Sequence, residues 1–357
     1  IADLVIAYVG QQELRDCINS SASWYGWKYQ RQFVWLDCAD RKLIDLAGLE
    51  KFTNLDYVDL RQTDGVLTTV SNLGSLEQLP NLYKLGLSGD GVVELNFLSK
   101  LTNLALLNLS NNQITNLDSL AALVNLETLY LDNNAFSDLT PLAGLTQLAT
   151  LTLGHDAKGS IANLAPLANL TALTELRVEN NLVTDLAPLA GLTNLARLWV
   201  GHDATDADLT NRISTLEPLR NLTALADLRF ENNAIESPNL NQYLAGLTNL
   251  QTLVVSGNQI NSLDALEKLT QLRSLSAGGN SIGSTHLVHI SKLTNLQFLD
   301  LQSNQDIDDV SNLTELKQLQ TLYLSNNKIV NVAPLAGMTE LKLLDLYNNK
   351  VVGVSPL

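Results

Sequence analysis

Four histidines, two cysteines and two short runs of aspartate are the places where this 357-residue chain could do chemistry. His286 and His289 stand three residues apart, a spacing that puts two imidazoles on one face of a helical turn, as a zinc site requires. No cysteine or carboxylate stands near them in the chain, so the pair reads as a surface or core-edge feature and no metal is expected. The runs Asp203-Ala204-Thr205-Asp206-Ala207-Asp208 and Asp306-Ile307-Asp308-Asp309 have the acidic character of calcium loops. Neither has the glycine at the sixth place or the distant bidentate glutamate that closes an EF-hand loop. The nucleophile-elbow, phosphate-loop and dinucleotide-binding glycine patterns are all missing. With no catalytic constellation, neither an enzyme nor a cofactor is expected.

The composition says more about what must position these residues. Leucine accounts for 77 of the 357 residues, aromatics for only 5%, and methionine occurs once. A core drawn so heavily from one side chain implies a single packing unit used many times. The chain carries 37 acidic against 22 basic residues, a net charge of −15. Such a surface repels phosphate backbones, so no nucleic-acid partner is expected. The leucines are spaced rather than contiguous, and no run is long enough to insert in a membrane. At 45% hydrophobic, the chain lies far from disordered compositions.

The packing unit is visible as the pattern L-x-x-L-x-L-x-x-N, as in LALLNLSNN from Leu104, LETLYLDNN from Leu126 and LKLLDLYNN from Leu341. Counting weaker copies, units start at Phe33, Leu55, Leu82, Leu104, Leu126, Leu148, Leu173, Leu195, Leu225, Leu250, Leu272, Leu296, Leu319 and Leu341, mostly 22 residues apart. A period near 22 with this pattern identifies leucine-rich repeats. In each unit, alternation of leucine with polar residues predicts a short parallel strand with one face inward. The closing asparagine (Asn112, Asn134, Asn181, Asn233, Asn258, Asn280, Asn304, Asn327, Asn349) falls at the turn that leaves the strand. There its amide can satisfy backbone groups of successive turns. In Gly154-His155-Asp156 and Gly201-His202-Asp203, aspartate is expected in that asparagine place. The return segment, as in Val183–Leu195, turns leucines inward every three residues and predicts 3₁₀ or short helical turns. The fold class is therefore α/β, a leucine-rich repeat solenoid. A curved parallel sheet lines its concave face, and 3₁₀ or helical turns form the convex one.

Residues 1–32 depart from the repeat and predict a helical N-terminal cap, ahead of about fourteen repeats over 33–357. Leu4, Val5, Tyr8 and Val9, and then Leu14, Cys17 and Ile18, have amphipathic spacing, with Gly10 as a break. Cys38 takes an inward leucine position in the first strand, where Cys17 on the capping helix is well placed to meet it. The pair reads as a disulfide clamping the cap, the alternative being two buried thiols in a cytosolic protein. The chain starts with isoleucine and stops inside a repeat at Val354-Ser355-Pro356-Leu357, so a processed N-terminus and a longer natural protein are expected.

The D-L-A-P-L-A-G-L-T-N-L return at Asp185–Leu195 resembles the internalin-type repeats of bacterial surface proteins over roughly residues 33–357. The same geometry resembles the cytoplasmic regulatory subunit of a eukaryotic protein phosphatase. Leu14 to Cys17, Leu36-Asp37-Cys38 and the Gly48–Leu55 stretch are similar to the N-terminal cap of exported Gram-negative leucine-rich repeat proteins. These resemblances imply a secreted or cell-surface bacterial protein that binds a partner.

The outward strand positions predict where. The central column runs through Asp37, Asp59, Gly86, Asn108, Tyr130, Thr152, Arg177, Trp199, Arg229 and Val254, and its tryptophan and both its arginines fall in consecutive units. The neighbouring columns add Asp132, Glu179 and Glu231, then His155 and His202. Tryptophan, tyrosine and arginine are the residue types that dominate binding hot spots. The expected partner-binding set is therefore Tyr130, His155, Arg177, Glu179, Trp199, His202, Arg229 and Glu231. Arg177–Glu179 and Arg229–Glu231 are expected to pair across adjacent strands and to stack around Trp199. A protein is the first expectation for the partner and a glycan the second, with the chain itself a monomer. The alternative is an intracellular scaffold or regulatory subunit.

Overall fold

The computed structural model describes residues 12–26, 29–63, 69–202 and 211–355. The chain divides into two compact units, Ile1–Leu173 and Thr174–Leu357. The first holds helix α1 (Gln12–Tyr25) and strands β1 (Trp35–Asp37), β2 (Tyr57–Asp59), β3 (Lys84–Gly86), β4 (Leu106–Asn108), β5 (Thr128–Tyr130) and β6 (Thr150–Thr152). These six pair in sequence order, all parallel and in register. The second holds β7 (Glu175–Arg177), β8 (Arg197–Trp199), β9 (Asp227–Arg229), β10 (Thr252–Val254), β11 (Ser274–Ser276), β12 (Phe298–Asp300), β13 (Thr321–Tyr323) and β14 (Leu343–Asp345), paired in the same way. Every strand begins two residues into a predicted unit, and the fold is a leucine-rich repeat solenoid.

Alternation decides which side chains are inward. In β5, Leu129 is fully buried while Thr128 and Tyr130 are half-buried on the outer face. The return segments run through 3₁₀ turns such as Ala187–Leu189, with proline in the first turn, where its missing N–H costs nothing. One return segment extends to an α-helix, α2 (Ser237–Leu244), which also opens with a proline.

The double asparagine of the motif divides two tasks. The first, as at Asn111, Asn133, Asn180 and Asn232, has φ between 54° and 58°, a left-handed conformation that asparagine tolerates. Gly257 takes the same turn at φ 66°. The second is the ladder. Asn280 Nδ2 donates to the carbonyls of Val255, Ala277 and Gly278 at 3.0–3.2 Å, and its Oδ1 accepts the Ile260 N–H at 3.0 Å. The expectation that aspartate joins this ladder after Gly154-His155 is corrected by the structure. Asp156 is exposed and instead exchanges hydrogen bonds with Asn133. Asp203 lies outside the described residues, and the fully buried Asn211 fills the ladder there, bonding Val178, Val183 and Val200. The three-residue enlargement of the Leu148 unit goes with the exposed position of Asp156.

Helix α1 buries Leu14, Cys17 and Ile18, and Cys17 is joined to Cys38 by a disulfide with Cα atoms 5.6 Å apart. The segment Leu4–Gly10, the run Asp203–Asp208 and the final Pro356-Leu357 fall outside the described residues.

Candidate functional site

Strands β7, β8 and β9 form the most chemically distinct stretch of the sheet's outer face. Their register places Arg177, Trp199 and Arg229 side by side, and Glu175, Arg197 and Asp227 side by side two residues earlier. Because side chains two apart share a face, each pair on one strand is in reach. The guanidinium of Arg177 lies 3.8 Å from the centre of the Trp199 ring and that of Arg229 lies 4.0 Å from it. With one neighbour on each flanking strand, the indole is sandwiched between two cations.

The arginines are held from behind. Arg177 Nε donates to Glu175 Oε1 at 2.6 Å, and Arg229 makes a two-point pair with Asp227 at 2.9 and 3.0 Å. Glu175 also receives Arg197, through Nε at 2.8 Å and through Nη2. Burial pushes the Glu175 carboxyl up, but hydrogen bonds and charge from Arg197 and Arg177 overcome this and hold it below its ordinary value of 4.5. Arg229 is held more firmly protonated, chiefly by its hydrogen bonds to Asp227 and also by the charges of Asp227, Glu231 and Glu179, against the pull of burial. Arg177 and Arg229 thus pair with Glu175 and Asp227 on their own strands, while Glu179 and Glu231, the partners expected from the sequence, add their charges to Arg229.

The remaining predicted residues of this unit gather at the strand ends. Gly201 is buried, and any Cβ there would overlap the Glu231 carboxylate, so the missing side chain makes room for that group. His202 is buried, its N–H donating to Glu231 O at 3.1 Å and its carbonyl accepting Asn232 Nδ2 at 2.6 Å. Trp199 is half-buried, and its Nε1–H is shut off from solvent without a hydrogen-bond partner. Three arginines here face four carboxylates (Glu175, Glu179, Asp227, Glu231), so the cluster is charge-balanced rather than a basic island.

Tyr130 and His155 belong to the first unit. Tyr130 sits in register between Asn108 and Thr152. Beside it, Asp132 accepts from Gly154 N at 2.9 Å, from Ser110 Oγ at 3.2 Å and from Thr152 Oγ1. Burial lowers the His155 pKa below 6.5, while the charges of Asp132 and Asp156 oppose the shift.

Two features of the described residues escaped the sequence reading. The first is the column two residues ahead of the central one. In the second unit it supplies Glu175, Arg197 and Asp227, and in the first unit Trp35 and Tyr57, whose rings meet edge-on at 5.5 Å. Together with Trp24 and Tyr83, which are 83% and 45% exposed, they border two shallow clefts. The alternation that defined the central column would have found this one. The second is Asp264, which the stacking of return turns brings to His286 and His289 from 22 residues away. Asp306, Asp308 and Asp309 go to separate partners, Lys328, Ser284 and Ser311.

The family profile described as Leucine Rich repeats (2 copies) matches residues 102–144, 248–289 and 317–357. Among solved structures, the chain is similar to an internalin from Listeria monocytogenes, with 29% identity, TM-score 0.74, and coverage of 99% of this chain and 93% of that one. It is also similar to a leucine-rich repeat protein of Leptospira interrogans (24% identity, 93% and 81% coverage, TM-score 0.77). The functional domain of InlJ from Listeria monocytogenes superposes as well (22% identity, 98% and 72% coverage, TM-score 0.75). The last two likenesses speak for the fold alone. No curated protein sequence matches.

Proposed function

We propose that this is a non-enzymatic binding module of an exported or cell-surface bacterial protein, which recognises a protein partner through the outer face of its sheet. Residues 1–32 serve as its cap and 33–357 as its repeats, with the chain acting as a monomer. The observation that carries the reading is the Arg177–Trp199–Arg229 stack. Leucine-rich repeats share a frame while specificity lies in a few outward side chains. Most outward positions here are short and polar, whereas this one is a large aromatic group locked between two cations. Locking has a direct benefit: side chains already ordered lose little entropy when a partner docks. Arg177 and Arg229 serve as charged contacts and Trp199 as the apolar anchor, with Glu179, Glu231 and His202 at their border. Tyr130 and His155 form a separate contact on the first unit.

A protein partner is favoured over a glycan because stacking on a sugar ring needs an open indole face, and both faces of Trp199 carry a guanidinium. Export and the internalin-type subclass are supported by the likeness to the Listeria internalin and by the Cys17–Cys38 bond, which persists in oxidising compartments. The test is a pull-down from the natural environment with the intact chain against the double variant Trp199→Ala/Arg177→Ala, each checked for folding by circular dichroism. Loss of the captured partner in the variant is expected. Undiminished capture would overturn the assignment.

A further inference from the structure

The 3₁₀ turn Ser284–His289 carries His286 and His289 three residues apart, and in a 3₁₀ turn residues i and i+3 eclipse, so both imidazoles point the same way. They point at the return turn of the preceding repeat, Asp264–Lys268. His289 Nε2 lies 3.0 Å from Asp264 Oδ1 and His286 Nδ1 lies 3.7 Å from the same oxygen. The second distance is too long for a hydrogen bond, and His286 Nδ1 is shut off from solvent with no hydrogen-bond partner.

We propose that Asp264, His286 and His289 form a surface site for a late transition-metal dication, zinc being the physiological case. One donor atom from each lies within 4.8 Å of the others. A tetrahedral ion with bonds of about 2.1 Å holds its ligand atoms about 3.4 Å apart. The observed 3.0 and 3.7 Å bracket that separation for the two histidine–carboxylate pairs, and side-chain rotation brings the two imidazole nitrogens, within 4.8 Å of each other, to the same spacing. The outer groups are those such a site uses. His289 Nδ1 lies 3.7 Å from Glu267 Oε2, a nearby negative charge beyond hydrogen-bond distance, and a metal would displace the proton that His289 Nε2 shares with Asp264. Ser262 Oγ donates to Asp264 and orients its carboxylate. Lys292 pairs with Glu267 and keeps that carboxylate from competing as a ligand. Two imidazoles with one carboxylate discriminate against calcium and magnesium, which take oxygen donors. The three side chains are between 26% and 56% exposed, so solvent reaches the remaining coordination position.

The experiment is titration of untagged, metal-free protein with Zn²⁺ by calorimetry and with Co²⁺ by visible absorption. One equivalent of each binds the intact chain, and Ca²⁺ does not compete. His289→Ala and Asp264→Asn each weaken binding at least tenfold, whereas Asp309→Asn, whose carboxylate accepts from Ser311 instead, leaves it unchanged. His286→Ala removes the third ligand and also weakens binding at least tenfold. Melting curves of each variant without metal establish that the fold is retained. Absence of a one-equivalent event in the intact chain, or equal affinity in His289→Ala, would overturn the site, as would displacement by Ca²⁺ at comparable concentration.

Discussion

Replacing Asp90 by asparagine should stabilise the first unit, by an amount that grows with pH. Asp90 stands 22 residues before Asn112, in the ladder place of its own repeat, and it is completely buried. In the next repeat, Asn112 fills this place by donating to Leu87, Leu109 and Ser110 carbonyls and accepting the Val92 N–H. A carboxylate has no hydrogen to donate there, and neither Asp90 oxygen has a hydrogen-bond partner. Burial first, and then the Asp59 charge, push its pKa from 3.8 up to about 8, with Gln62 opposing. The folded chain therefore keeps a proton that the unfolded chain releases. Folded-state protonation above the unfolded value means that stability is intact in acid and falls as pH rises from about 4 to about 8. At about 1.4 kcal/mol per unit, the loss reaches about 4 kcal/mol by pH 7. Asparagine has no proton to lose and restores the donor. Urea unfolding of the intact chain and Asp90→Asn, followed by circular dichroism between pH 4 and 9, isolates the effect because other carboxylates cancel in the difference. The variant's advantage should be small at pH 4, rise steadily and level off above pH 8. A difference that does not change with pH, or a variant less stable at pH 8, would refute the reasoning.

Three further outcomes are expected. Asn280→Ala leaves the buried Ile260 N–H and three carbonyls without their partner, and should cost about 2–4 kcal/mol in urea unfolding, more than one unsatisfied buried group alone costs. Glu175→Gln removes the charge that Arg177 and Arg197 share. Because the native carboxyl titrates below its ordinary value, its contribution is present above pH 4.5 and is lost in acid. The variant should be about 1 kcal/mol less stable at pH 7, the figure being kept low by solvent around the half-exposed Arg197, and should match the intact chain in acid. Reduction of Cys17–Cys38, which are 21 residues apart, should cost about 3 kcal/mol. It should show as a lower melting temperature with dithiothreitol, and free thiols in natively purified protein would argue for the intracellular scaffold instead.

The ladder shows how far local pattern reaches. Asn112 to Asn349 were legible because each repeat presents the same turn to the same neighbour, so one unit's chemistry predicts the next. The pattern failed at Asp156, where an enlarged unit breaks the period and the turn swings into solvent. The candidate site was legible in part for the same reason. Strand alternation put Arg177, Trp199 and Arg229 in one column, and parallel in-register pairing does place them side by side. Which carboxylates would pair with them was not legible, because Glu175 and Glu179 both lie two residues from Arg177 on its own face. The choice depends on which way a flexible guanidinium folds.

The sequence by itself determined the repeat, the strand register, the inward leucines and the column in which large side chains meet, since all of these follow from a short period applied many times. Tertiary structure alone decided that Glu175 serves both Arg177 and Arg197, that Asp90 is left without a side-chain partner in its ladder place, and that Asp264 meets His286 and His289. Each of these depends on the meeting of neighbouring repeats, where side chains more than twenty residues apart in the chain reach, or fail to reach, the same few ångströms. Rotamers and local packing choose among them there, and periodicity says nothing of either.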